Sequence, residues 1–127
     1  MNGLSFCYDN SFFMLPVSYC RELRDFRIFV GRKDSFGDAY WVCDTEYKDA
    51  RDVSFDESFI LLRRSNLTLF SPSLEDMVKY MADVDPWVRI YKGKDGWVVL
   101  FDKIVSDAHK DLEISAADAI IKYAKSL

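Results

Sequence analysis

Histidine occurs once in the 127 residues, proline and cysteine three times each, and glycine five times. A single imidazole, His109, confines acid–base chemistry to that residue and to carboxylates, and its spacing from the cysteines is not that of a zinc ligand set. So few glycines and prolines, all scattered, mark no linker or repeat, and residues 1–127 are expected to form a single domain. Three cysteines, Cys7, Cys20 and Cys43, are an odd number without the density of a disulfide framework. The first residues, MNGLSFCYDN, lack a basic segment and carry Asp9, unlike a signal peptide. A reduced, cytoplasmic protein with three thiols is the expectation, in which the Asn66-Leu-Thr68 sequon is idle. Charges interrupt every apolar run well before the ~18 residues of a membrane span, so no membrane is expected as a partner. Gly-x-Ser-x-Gly, a phosphate-cradling glycine loop and Cys-x-x-Cys are all missing. No cofactor is expected, and no catalytic activity.

What is abundant is core material. Leu, Ile, Val and Phe make up 38 of the 127 residues, and half the chain is hydrophobic. A chain of this size buries about two-thirds of its extended surface, enough for a core of its own.

Periodicity then orders the elements. Leu4–Tyr8 and Ser11–Leu15 read as strands around Asp9-Asn10. Residues 18–25 suit a short helix capped by Ser18, with Tyr19, Cys20 and Leu23 inward, and fit an extended segment nearly as well. Phe26–Val30, Ala39–Cys43, Phe59–Arg63 and Leu67–Phe70 read as strands, and 44–52 as one or two helical turns with i,i+4 charge pairs. Ser73 with Asp76 forms a capping box, and Leu74, Met77, Val78 and Met81 follow at the spacing of one buried helix face. Asp85-Pro86 ends that helix. Trp87–Lys92 and Trp97–Phe101 form a hairpin in which Lys92 pairs with Trp97, Ile90 with Val99 and Val88 with Phe101. Its other face carries Trp87, Arg89, Tyr91, Val98 and Leu100. With neither face plainly polar, the hairpin is expected in the middle of its sheet, the alternative being that its aromatic face meets a partner. Ile104, Val105, Ala108 and Leu112 read as one helix. Ser115, Ala117, Ile120, Ile121 and Ala124 read as a second, with Ser115 its cap. The expected class is α+β: a compact domain with a mostly antiparallel sheet, a mid-chain helix and two C-terminal helices.

Residues 111–123, Asp-Leu-Glu-Ile-Ser-Ala-Ala-Asp-Ala-Ile-Ile-Lys-Tyr, resemble the turn of helix-turn-helix and ribbon-helix-helix proteins. That resemblance implies a nucleic-acid-binding regulator with Lys122 and Lys125 as its basic residues. The second helix opens Ala-Ala-Asp, however, and the chain carries a net charge of −4. Both are poor provision for phosphate contacts, so DNA is not the expected partner.

Charge is unevenly spread. Residues 34–57 hold eight acids and two bases, a net −6, while 58–127 are balanced. On a helix over 45–52, Glu46, Asp49 and Asp52 share one side. The candidate partner-binding residues are Asp44, Glu46, Asp49, Asp52, Asp56 and Glu57, which would steer a protein with a basic surface. The expected function is non-catalytic binding to a protein or protein–nucleic-acid machine. Inhibitors and immunity-type proteins, phage anti-defence and anti-CRISPR proteins among them, are of this small, acidic type. A regulator using the C-terminal helices, and a small enzyme or ligand-binding protein using Asp residues not singled out, are the rival readings.

Overall fold

A computed structural model of the chain describes residues 14–29, 38–43, 51–54 and 67–127. Their order is α1 (Val17–Asp25), β1 (Ala39–Cys43), β2 (Arg51–Ser54), β3 (Leu67–Ser71), α2 (Leu74–Val84), β4 (Arg89–Gly93), β5 (Gly96–Phe101), β6 (Ile104–Val105) and α3 (Leu112–Ser126). Two antiparallel three-stranded sheets result, in the orders β2-β1-β3 and β4-β5-β6. The antiparallel α+β class expected from the sequence is the class observed. Residues 4–13 of the expected hairpin and the strand 59–63 lie outside the described residues, and Met14 and Leu15 lie in neither helix nor strand.

Proline sets the start of α1. Pro16, with φ −53° and ψ 146°, places its carbonyl to accept from the Tyr19 and Cys20 N–H groups at 3.0 and 3.2 Å, so the helix begins at Val17 and not at a Ser18 cap. Phe26–Val30 was expected as a strand, but residues 26–29 form the helix's exit turn. Arg27 takes φ 61° and donates to the Arg24 carbonyl, while the Ile28 N–H reaches back to Leu23 O at 2.8 Å. This is a Schellman closure with arginine where glycine is usual, and Ile28 and Leu23 supply its apolar contact.

In α2 the sequence-level reading holds in detail. The Ser73 hydroxyl accepts from the Asp76 N–H at 3.1 Å and the Asp76 carboxylate accepts from the Ser73 N–H at 2.9 Å. Met77 and Met81 are fully buried.

The hairpin has the expected register, from Arg89↔Leu100 through Ile90↔Val99 and Lys92↔Trp97 to Gly93↔Gly96. Its place in the sheet differs. Among the described strands β5 is central, and β4 is an edge. The third strand comes from a segment expected to be helical: Ile104 and Val105 pair with Phe101 and Leu100 across a tight turn in which Asp102 and Lys103 both have positive φ. That backbone matches the twist of paired strands. Two apolar neighbours fit a strand end as well as a helix stripe, and the waiting β5 edge decides for the strand.

One C-terminal helix therefore replaces the expected pair. α3 starts after Asp111, whose carbonyl accepts from Ile114 and Ser115. Ser115 is no cap but a fully buried helical residue whose hydroxyl donates to Trp97 O at 2.6 Å. Glu113, expected in a turn, lies buried in the first helical turn.

α3 is the element on which the others converge, contacting β5, β6, α1 and α2. Ala116, Ala117 and Ala119 are fully buried, which lets neighbouring backbones approach closely, and Ile120 and Ile121 fill the space between. The segment before α1 is tied to the first sheet: Leu15 N–H donates to Ser71 Oγ at 3.0 Å, and the Trp41 indole N–H donates to Leu15 O at 2.6 Å.

Candidate functional site

Strand alternation sorts the β4-β5-β6 sheet into two faces. Val99 and Phe101 are buried against α3, with Ile90 and Ile104 half-buried beside them. The opposite face carries Arg89 and Tyr91 on β4, Val98 and Leu100 on β5, and Val105 on β6, joined by the pairs Arg89↔Leu100, Tyr91↔Val98 and Leu100↔Val105. Trp87 precedes the strand and is 78% exposed, while Tyr91 is 47% and Val105 52% exposed. Trp87, Arg89, Leu100 and Val105 border an open depression of about 260 Å³. The sequence reading of this face as apolar and aromatic is correct. The central place expected for the hairpin is taken by β5 alone, β4 lying at the edge among the described strands.

Asp85 organises the near end of this face. Its carboxylate accepts from the Trp87 N–H at 2.9 Å and from the Asp102 N–H at 2.8 Å, joining the exit of α2 to the β5–β6 turn. Those two donors, Asp102 foremost, hold the carboxyl below its ordinary pKa.

A second cluster forms where the loop after β6 crosses α3. The loop is pinned by backbone bonds in both directions between Trp97 and His109, at 2.7 and 3.1 Å. Asp107 N–H donates to Asp118 Oδ2 at 2.7 Å. Lys122, one turn beyond Asp118 on α3, places Nζ 3.0 Å from Asp107 Oδ1, 3.4 Å from Asp118 Oδ2 and 3.3 Å from the Val105 carbonyl. Its hydrogen bond to Asp107 raises the lysine pKa and lowers that of Asp107. His109 Nε2 lies 3.6 Å from Asp118 Oδ2 and has no hydrogen-bond partner. One ligand atom from each of Asp107, His109 and Asp118 falls within 4.8 Å of the others. Asp118 and Lys122 also line a cleft of about 410 Å³ between α1 and α3, with Tyr19 and Glu22 across from them. Burial, and then the Asp118, Glu22 and Asp107 carboxylates, raise the Tyr19 phenol pKa, so it stays protonated at neutral pH.

Of the acids singled out in the sequence, Asp44, Glu46, Asp49, Asp56 and Glu57 lie outside the described residues. Asp52 falls in β2, opposite Trp41 in the register, so the helix expected over 45–52 does not extend to it. Lys122, assigned to the helix-turn-helix resemblance, is engaged by two carboxylates, and a strand and loop stand where the first helix of that pair was expected. Sequence reasoning missed the Asp107–His109–Asp118 cluster. Its signals were the Asp-x-His spacing, which puts two side chains on one side of an extended segment, and the i,i+4 pair Asp118–Lys122. No family model, curated protein or solved structure matches this chain. No helix among the described residues is long and apolar enough to cross a membrane.

Proposed function

We propose that this protein acts by non-catalytic binding to another protein, one whose surface is basic around an apolar patch, in the manner of an inhibitor or immunity-type protein. The observation that carries this reading is the aromatic outer face of the β4-β5-β6 sheet, with Trp87 78% exposed at its edge. A large aromatic left in water is costly in apolar exposure, and contiguous patches of this kind mark interaction surfaces. Tryptophan, tyrosine and arginine dominate the binding energy of protein interfaces, and Trp87, Arg89 and Tyr91 stand in a row on this face. Its margin is balanced, with Asp85 and Asp102 beside Arg89 and Lys103. The net −6 of residues 34–57 is the source of a long-range negative field. That field favours a basic partner, the apolar face giving affinity and the charge giving association rate.

The test is site-specific photocrosslinking from position 87 in a lysate of the native host. The captured protein is then purified and mixed with the wild-type chain and with a Trp87→Ala, Tyr91→Ala variant. The reading holds if wild type forms a defined complex, the doubly substituted chain competes poorly for it, and both melt at the same temperature. Equal binding by both chains, or crosslinks only between copies of this chain, would overturn it.

A further inference from the structure

We propose that Asp107, His109 and Asp118 form a binding site for one divalent transition-metal cation of the zinc class, independent of the aromatic face. Three observations carry it. The donors are of the right kind: one imidazole nitrogen and two carboxylates make a three-ligand protein set that leaves a fourth position open. The spacing is close for one pair, and the three donor atoms all lie within 4.8 Å of one another. Two ligands about 2.1 Å from a tetrahedral ion lie roughly 3.4 Å apart, and His109 Nε2 sits 3.6 Å from Asp118 Oδ2. Finally, His109 Nε2 is shut off from solvent and has no hydrogen-bond partner, so the nitrogen that would ligate is the one whose bonding is unmet.

The scaffold holds His109 and Asp118 in place before any ion arrives. Paired backbone bonds to Trp97 fix His109, Asp118 stands on the buried helix α3, and the Asp107 N–H is bonded to Asp118 Oδ2. Asp107 is 75% exposed and is the ligand that closes over the ion. Lys122 Nζ now holds a positive charge against both carboxylates. It is the competitor for the site: a divalent ion gains more from two carboxylates than an ammonium does, and the flexible lysine chain can swing away toward water.

The competition provides the experiment. The full chain, stripped with chelator, is titrated with zinc chloride by calorimetry and followed by thermal melting. Cobalt(II) serves as a spectroscopic probe and magnesium as a hard-cation control. The expected result is one zinc per chain, a raised melting temperature, and a cobalt spectrum without a thiolate charge-transfer band. Asp107→Asn, an exposed position that tests the site without threatening the fold, should weaken zinc binding about tenfold or more, as should His109→Ala. Lys122→Met should tighten it roughly tenfold by removing the resident charge. No zinc binding by wild type, a cobalt thiolate band, or zinc affinity unaltered in Asp107→Asn and Lys122→Met would each overturn the proposal. If Lys122 serves only the ion-pair network, Lys122→Met lowers the melting temperature without any gain in zinc affinity, which also overturns it.

Discussion

Gly96 is a residue whose need is set by a distant backbone. It has φ 132°, and a Cβ built there would stand 2.4 Å from the His109 carbonyl oxygen. Gly96→Ala must therefore both strain the β5 entry and push the His109 loop away. A loss of about 1–3 kcal/mol is expected in chemical denaturation, and a neutral result would mean the bridge between Trp97 and His109 is not held in solution. Asp85 gives a prediction in pH. Its folded pKa is lowered from 3.8 by the Asp102 and Trp87 N–H groups. The stability it contributes is present above the unfolded value and is lost as pH falls through the folded one. Asp85→Asn should thus lie below wild type in stability at pH 7 and approach it below about pH 4. Parallel stability profiles from pH 7 to pH 3 would show that the two hydrogen bonds add nothing. The glycine was visible in the sequence only as part of a turn, because the reason for it lies thirteen residues on, in a loop whose path no local pattern encodes.

Among the elements, those legible in the sequence are the ones whose determinants are local. The capping box of Ser73 and Asp76 and the four-residue apolar spacing define α2 without reference to the rest of the fold. The β4–β5 register follows from alternation about Gly93 and Gly96. Where the reading failed, tertiary pairing outweighed propensity. Ile104 and Val105 continue β5's sheet, and Phe26–Phe29 close a helix instead of starting a strand, held by Ile28 N–H to Leu23 O. The candidate cluster was illegible for the same reason, since His109 meets Asp118 only if residues 106–111 are a loop folded over α3. The expected inward face of α3 was correct at Ala117, Ile120 and Ile121. Ile121→Ala should cost about 2–5 kcal/mol, as buried isoleucines do. A loss under about 1 kcal/mol in urea unfolding would be that of a surface position and would contradict the packing of α3 against α1.

At the scale of the whole molecule, charge and apolar surface are separated in the sequence: the acid surplus belongs to residues 34–57, and among the described residues the two most exposed aromatics, Trp87 and Tyr91, belong to β4 and its approach. Steering by the former predicts that partner association slows with added salt, since fields between exposed charges fade beyond a Debye length of ~8–10 Å. Glu46→Gln with Asp49→Asn should slow association and flatten its salt dependence, leaving the dissociation rate and melting temperature in place. Stopped-flow mixing at two salt concentrations reads both. Association that is fast and salt-independent in wild type would remove the acidic stretch from the binding account.

The central claim is that Trp87 and Tyr91 anchor a protein partner, and the most direct measurement is the dissociation constant of the purified partner for wild type and for the Trp87→Ala, Tyr91→Ala chain. Both side chains are exposed, so their truncation should leave the melting temperature where it is. Hot-spot aromatics contribute 2 kcal/mol or more, and so the predicted loss of affinity is about thirtyfold or greater. Equal affinity in two equally stable chains would contradict the claim.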